Sequence, residues 1–183
     1  ALLGSNLGNG NLSSVTKANY LCNHLGMDTI SAGQVVSWAM ETFEAGQLTI
    51  QDTDGLELNF GNAESMVILV RQIAGKEKFG AVLAEGSQKA AEKLGKGAEF
   101  LITTKGQEPP AHMPQHKPNM ALLYSINPFG ADHQSSAHDP SYDSGYEGYK
   151  ERFASLGLAA PQDPPGSLGK EKVQFICDAR KKE

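Results

Sequence analysis

Two helical patterns separated by only a few residues constrain this fold more than any other feature of the sequence. An apolar pattern with helical spacing runs from residue 12 to Leu25, and a second opens near Ser31. Gly26 is typical of the residue that follows a helix, and Asp28 of the residue that caps the next one. Such a corner exposes a carboxylate and backbone N–H groups, which suit a polar ligand that carries hydrogen-bond donors or phosphates. A plain helix cap is the simpler interpretation of Asp28.

Length and charge narrow the class of protein. The 183 residues fit one domain or two small ones, with 39% hydrophobic residues and a net charge of -5. An acidic balance without a Lys/Arg block argues against a nucleic-acid partner or an anionic membrane surface. The sequence has no apolar run long enough to span a membrane and only two distant cysteines. We therefore expect a cytoplasmic protein.

Apolar periodicity predicts a mainly α, multihelical fold with a minor β-hairpin. Alternating Leu48, Ile50, Leu56 and Leu58 around a turn predict the hairpin, or an extended loop, within residues 47–61. Ser167 is the expected cap of the last helix. The predicted helices cover residues 12–25, 32–45, 62–77, 80–94, 120–126 and a final segment after Ser167.

A proline-rich stretch predicts a division of the chain. Residues 107–118 hold four prolines, which mark a loop or a domain junction. We expect one helical domain over residues 1–106 and the start of a second over 107–183. Residues 131–149 of the second part have few aliphatic side chains, as irregular segments that carry function often do.

Two histidines and two carboxylates lie close together in that irregular segment. His133 and His138 fall between Asp132 and Asp139. An imidazole with a pKa near neutrality suits proton transfer, and Asp139 is placed to orient the ring of His138. Surface histidines in a hydrogen-bonded loop are the alternative that composition alone favours. A zinc site is less favoured, because no third or fourth ligand follows at zinc-like spacing.

Cys22 lies on the apolar face of the first predicted helix. A free cysteine at such a position usually packs as a small hydrophobic residue. A metal ligand or a redox thiol is the alternative.

Several short stretches, in order, resemble the tungsten-containing aldehyde:ferredoxin oxidoreductase family. The resemblance covers roughly residues 1–135 and implies a multihelical fold like the C-terminal domains of that family. The stretches include Leu2-Leu3-Gly4-Ser5-Asn6, the run from Ala18 to Gly33, Leu83-Ala84-Glu85-Gly86, Lys105-Gly106-x-Glu108-x-Pro110-x-His112 and Gly130-Ala131-x-His133.

The resemblance implies a cofactor and a role for each site residue. In that family two pterin dithiolenes hold the tungsten, or molybdenum, as a bis-pterin complex. Asp28 matches an aspartate that binds one pterin through its N–H donors, with Ser31, Ala32 and Gly33 beside it. His133 matches a histidine near the metal that is the expected proton donor or acceptor. His138, which the resemblance does not align, is its competitor from the same loop.

The resemblance also implies an enzyme that acts on an aldehyde/carboxylic acid couple with ferredoxin or another low-potential electron carrier. This chain would be an internal helical part of a longer subunit, inactive without the remaining domains. The 4Fe-4S cluster of the family needs four cysteines, so its ligands are expected outside this chain.

Two other functions remain open at this point. Ser135 stands where the relatives usually have a basic residue, which leaves room for the benzoyl-coenzyme-A reductase branch. In that branch a cysteine can bind the metal, which makes Cys22 a candidate metal ligand. A helical scaffold protein without a cofactor is the second alternative.

Overall fold

The computed structural model describes residues 1–135, 138–139, 151, 153–158 and 169–182. The chain divides into two compact units, residues 1–111 and 112–183, and each is described here by itself. The predicted domain boundary after residue 106 lies close to this division. The assignment of a cofactor motif to one domain and a histidine loop to the other stays a prediction.

The first unit is helical, as predicted. Asn11, Asp28 and Asn62 each cap a helix by accepting the backbone N–H of the residue three positions later. Its elements are a 3-10 turn at Ser5–Leu7, α1 at Leu12–His24, α2 at Thr29–Glu44, α3 at Ala63–Gly75, α4 at Lys78–Leu83, α5 at Ser87–Leu94 and a 3-10 turn at Ala98–Phe100.

One core joins these helices. The most deeply buried side chains come from the first 3-10 turn, the facing sides of α1, α2 and α3, and the segment before α3; they include Leu7, Cys22, Val36, Met40, Leu58, Met66 and Leu69. α3 and α4 approach closely at Gly80, where an added Cβ would lie 2.2 Å from the carbonyl carbon of Gln72.

The single helix predicted over residues 80–94 is wrong, because the chain breaks between α4 and α5. Gly86 has φ +92°, a conformation that side chains beyond glycine rarely adopt. The N terminus of α5 is capped from a distance by Glu108, whose Oε1 accepts both the N–H (2.7 Å) and the hydroxyl (2.8 Å) of Ser87. Apolar spacing continues across the break, which explains the error.

The predicted β-hairpin is also wrong. Residues 47–55 form mostly turns, residues 56–59 belong to no regular element, and the stretch contains no strand. The buried Thr53 hydroxyl donates to a local carbonyl, that of Leu56, at 2.6 Å, while Leu48 and Leu58 point into the core. Tight turns can bury alternate residues as a strand does, so the alternation alone does not separate the two. A single antiparallel bridge joins Thr104 and Gln107 within the described residues.

The second unit contains α6 at Pro118–Ile126 and α7 at Lys170–Lys182. Met120, Leu123 and Tyr124 of α6 pack with Ala131, and Phe153 stacks edge to face on Phe175 of α7. The predicted cap at Ser167 and most of the irregular segment at 131–149 lie outside the described residues. Among the described residues, no helix is long and apolar enough to cross a membrane.

Candidate functional site

The corner between α1 and α2 places an exposed carboxylate beside a hollow. Asp28 caps α2, and its Oδ2 accepts the N–H of Ser31 at 2.7 Å. The hollow measures about 190 Å³, and its walls are mostly apolar. It is lined by Met27, Asp28, Ser31, Ala32, Val35, Ile73, Leu83, Ala84 and Gly86. A flat polar ligand could lie on these walls with its donors toward Asp28.

The backbone N–H groups predicted to be free beside Asp28 are in part occupied. The N–H of Ser31 donates to the Asp28 side chain, and that of Ala32 to the Asp28 carbonyl oxygen at 3.0 Å. Gly33 is buried against Leu2, where an added Cβ would lie 2.7 Å from the Leu2 Cβ. Ser31 and Ala32 line the hollow, and Gly33 allows the N-terminal segment to approach α2. Their role in cofactor binding stays a prediction.

Cys22 lies in the core of the first unit. Its side chain is fully buried among the apolar residues of that core. Burial, and then the negative charge of Asp28, raise the pKa of the Cys22 thiol. The thiolate is the form that binds metals, so this placement favours packing over ligation. The role of Cys22 as a metal ligand stays a prediction.

Three imidazoles meet in the second unit. The ring centroids of His133 and His138 lie 5.7 Å apart, and the His112 ring lies 5.1 Å from the first and 4.6 Å from the second. We call these three residues the histidine cluster. The two sequence-predicted histidines are therefore neighbours, and all three rings are half-buried.

Polar partners orient each ring of the histidine cluster. The side-chain amide nitrogen of Gln134 lies 2.8 Å from Nε2 of His133, and the carbonyl oxygen of His133 lies 3.2 Å from Nε2 of His138. Lys117 Nζ lies 3.2 Å from Nδ1 of His112. A carbonyl oxygen only accepts, so Nε2 of His138 carries a proton.

Charges around the histidine cluster shift two pKa values. Burial, then the Lys117 ammonium and then the two other imidazoles lower the pKa of His112 to about 4. Burial acts to raise the pKa of Asp132, but hydrogen bonds from Ser135 and from the N–H of Gln134 outweigh it, so this pKa falls. Asp132 is thus an anion beside His133 at neutral pH, while His112 is uncharged.

Asp139 does not orient His138, contrary to the sequence-based expectation. Its Oδ1 accepts the N–H of Asn119 at the start of α6 (3.0 Å) and the ammonium of Lys172 from α7 (3.2 Å). Both charged side chains are almost completely buried. Asp139 therefore anchors the chain just after His138 to two helices of the second unit.

Sequence reasoning missed His112 and Lys117 as members of this site. His112 belongs to one of the stretches that carry the family resemblance, but nothing in the spacing links it to the loop 21 positions later. Only the fold brings the two together. Among the described residues, no three histidine, cysteine or acidic side chains are arranged to bind a metal ion by themselves.

Comparison with known proteins shows the family of this chain. The family model for aldehyde ferredoxin oxidoreductase, domains 2 and 3, matches residues 1–181. The chain belongs to this family. A tungsten-containing aldehyde ferredoxin oxidoreductase of Pyrococcus horikoshii is 39% identical over 134 residues, and its counterpart in Pyrococcus furiosus is 39% identical over 132 residues. Each match covers 72% of this chain.

A relative of another kind matches a larger part of the chain. The WOR-like subunit of an aliphatic sulfonate oxidoreductase from Pyrococcus furiosus is 33% identical over 155 residues, or 81% of this chain. The chain spans only 22% of the length of the two aldehyde ferredoxin oxidoreductases and 24% of the length of this subunit.

Proposed function

We propose that the full-length protein is a tungsten or molybdenum bis-pterin oxidoreductase that acts on an aldehyde/carboxylic acid couple. Ferredoxin or another low-potential carrier in the cytoplasm exchanges the electrons, through a 4Fe-4S cluster whose ligands lie outside this chain. The observation that carries this proposal is the family match over residues 1–181, together with the tungsten-containing relatives.

The first unit offers a suitable place for one pterin. One carboxylate oxygen of Asp28 accepts the hydrogen bond that caps α2. The side chain is exposed, so its other oxygen can accept hydrogen bonds from a ligand. A pterin ring presents a row of N–H donors, which a carboxylate accepts well. The adjoining hollow of about 190 Å³ has the mostly apolar walls on which a flat ring can rest. The residues at this corner therefore fit the cofactor that the family uses.

The histidine cluster supplies the proton chemistry. Oxidation of an aldehyde, or reduction of an acid, moves protons as well as electrons, and the bound metal centre supplies the electron chemistry. An imidazole with a pKa near neutrality can donate or accept a proton at one ring nitrogen. His133 is the proposed proton-transfer residue, because it matches the family's histidine, and His138 is the alternative in the same cluster.

A pair of substitutions at Asp28 tests the pterin contact. Asp28→Ala in the full-length protein removes both the charge and the helix cap, whereas Asp28→Asn keeps a good cap and removes only the charge. A hydrogen bond to a charged group contributes about 1.5–3 kcal/mol, so we expect both variants to bind less pterin and less tungsten. Metal and pterin content of protein purified without oxygen measures the effect.

The matched control is another helix cap of the same unit. Asn62 caps α3 by accepting the N–H of Ser65, as Asp28 does for α2. Asn62→Ala should lower stability and leave the cofactor content of the folded protein unchanged. If Asp28→Asn contains as much pterin and tungsten as the wild type, Asp28 is only a helix cap and the proposed pterin contact is wrong.

The sulfonate relative supports a second substrate class. Its match covers more of this chain than either aldehyde oxidoreductase does. Assays of the purified full-length enzyme with aliphatic aldehydes and with aliphatic sulfonates distinguish the two substrate classes. Turnover of a sulfonate without any aldehyde oxidation would replace the aldehyde/acid proposal and keep the tungsten cofactor. Full-length protein free of tungsten, molybdenum and pterin would overturn the enzyme proposal itself.

A further inference from the structure

Lys117 is a half-buried ammonium whose one side-chain partner in the described part of the chain is an imidazole. It immediately precedes α6, and its Nζ lies 3.2 Å from Nδ1 of His112. No ion pair to a carboxylate is formed by Lys117 within the described residues. A half-buried charge that contacts an imidazole instead of an acid is uncommon, because burial penalises a charge that has no counter-ion.

The contact fixes the protonation of His112. An ammonium group only donates hydrogen bonds, so Nδ1 of His112 must accept. The proton of the neutral ring then lies on Nε2, and the ring cannot take a second proton without losing this contact. Repulsion from the ammonium acts in the same direction as the burial that lowers the pKa of His112 to about 4.

This fixed ring touches both candidate proton-transfer residues. His112 meets His138 nearly at right angles, with centroids 4.6 Å apart, and meets His133 at 5.1 Å. A second positive charge at such a distance would oppose protonation of either neighbour. Keeping His112 neutral therefore removes this opposition to a positive charge on His133 or on His138.

The other charged groups that the structure describes around the cluster have partners other than His112. Asp132, beside His133, accepts from Ser135 and from the N–H of Gln134. Asp139 is paired with Lys172 of α7. The buried Tyr124 hydroxyl of α6 has its pKa raised to about 12 by burial and then by Asp132, so it is neutral. Among the described residues, Lys117 is thus the charged group that contacts His112 directly.

We propose that Lys117 is a positioning residue that holds His112 as a neutral imidazole and thereby keeps this ring from opposing protonation of His133 or His138. This inference rests on the proposed proton-transfer role of the cluster, and it adds a residue that does not itself exchange the proton. It assigns a function to a lysine and a histidine that sequence spacing did not connect with the loop.

The test compares three lysine variants in the full-length, cofactor-free protein. Histidine rings labelled with ¹³C at Cε1 report each pKa by NMR, and His112→Asn assigns the signal of His112. In the wild type we expect this signal to titrate near pH 4. Lys117→Met should raise its midpoint, although burial still holds it below the ordinary value, whereas Lys117→Arg should keep it near pH 4. Lys89→Met, the same charge change on an exposed face of α5, should have no effect.

A second measurement uses the loaded enzyme. A second imidazolium in Lys117→Met should disfavour the protonated form of its neighbours, so the acidic limb of the kcat/KM profile should shift. Lys117→Arg should retain the wild-type profile. An unchanged His112 titration in Lys117→Met, or an equal change in Lys89→Met, overturns the proposal.

If Lys117→Met shifts the titration of His112 but leaves the pH profile of kcat/KM unchanged, the positioning role is wrong as well. Failure of the proposed function can be told apart from failure of this inference. The first appears as a full-length protein without tungsten and pterin, whereas the histidine titrations are measured on cofactor-free protein and depend on neither.

Discussion

His133 and His138 differ in their polar partners rather than in their location. Nε2 of His133 faces the amide of Gln134, and Asp132 provides a negative charge beside it. Nε2 of His138 is engaged by a backbone carbonyl oxygen, which leaves Nδ1 for exchange. Asp132 favours a protonated His133, and no carboxylate of the described residues bonds to His138. The choice of His133 over His138 as the proton-transfer residue stays a prediction.

Replacement of His133 by alanine tests whether this residue, and not His138, transfers the proton. His133→Ala should lower turnover by about 10²–10⁴-fold, because general acid–base catalysis contributes that much. Cofactor content should stay at the wild-type level, since the residue is not placed in the pterin contact. The measurement is steady-state turnover normalised to tungsten content.

His138→Ala is the matched control in the same loop. It should retain more activity than His133→Ala, with a change in the pH profile as the cluster loses one ring. Near wild-type turnover in His133→Ala, combined with loss of turnover in His138→Ala, would reverse the assignment.

At the scale of secondary-structure elements, α5 depends on a residue far along the chain. Its start has no cap from its own sequence, because Gly86 provides no side chain. Glu108 replaces the local cap from the segment that follows the 3-10 turn at Ala98–Phe100. The carboxylate also suits the positive end of the helix dipole. One buried side chain therefore joins two segments of the first unit.

Glu108→Ala should weaken α5 selectively. The N–H and hydroxyl of Ser87 lose their buried acceptor, at a cost of about 1–3 kcal/mol. If α5 opens locally, its amides should exchange with solvent about 5- to 150-fold faster, as measured by hydrogen–deuterium exchange. Glu108→Gln keeps an acceptor oxygen, so the exchange rates of its α5 amides should lie between those of the wild type and those of Glu108→Ala. Lys89→Ala on an exposed face of the same helix should leave exchange unchanged, and equal effects from both alanine variants would contradict the cap.

For the molecule as a whole, one ion pair makes the stability of the first unit depend on acid pH. Hydrogen bonds from Lys96, then from the backbone N–H and hydroxyl of Thr49, lower the pKa of Asp52 from 3.8 to about 2. Because the folded pKa lies below the unfolded one, the pair stabilises fully above pH 4. That stabilisation is lost as the pH falls toward 2.

Asp52→Asn should therefore be less stable than the wild type at pH 6, and the difference should shrink below pH 4 and disappear as the pH falls through 2. Denaturant midpoints across this range, followed by a probe in the first unit, measure the change. Asp54→Asn is a suitable control, because Asp54 is exposed, has φ +53°, which asparagine tolerates, and makes no ion pair among the described residues. A pH-independent difference for Asp52→Asn would exclude the linkage.

Local sequence determined most of the helices and the caps of α1 and α2. Asn11 and Asp28 were recognisable as caps because the side-chain acceptor and the N–H it binds are only three residues apart. The helical core of the first unit follows from apolar residues at helical spacing, which needs no information from distant parts of the chain. The family resemblance was likewise readable from short stretches in order, and the family match confirms it.

Tertiary structure alone decided the features that join distant residues. The break at Gly86 was missed because its compensating cap, Glu108, lies 22 positions later, and the hairpin at 47–61 was wrong because buried turns imitate a strand pattern. The contact of His112 with His133 and His138, and its control by Lys117, likewise require the fold. The apolar periodicity of the sequence indicates which residues are buried. Hydrogen bonds and the charge states of side chains depend on which of these residues come into contact in the fold.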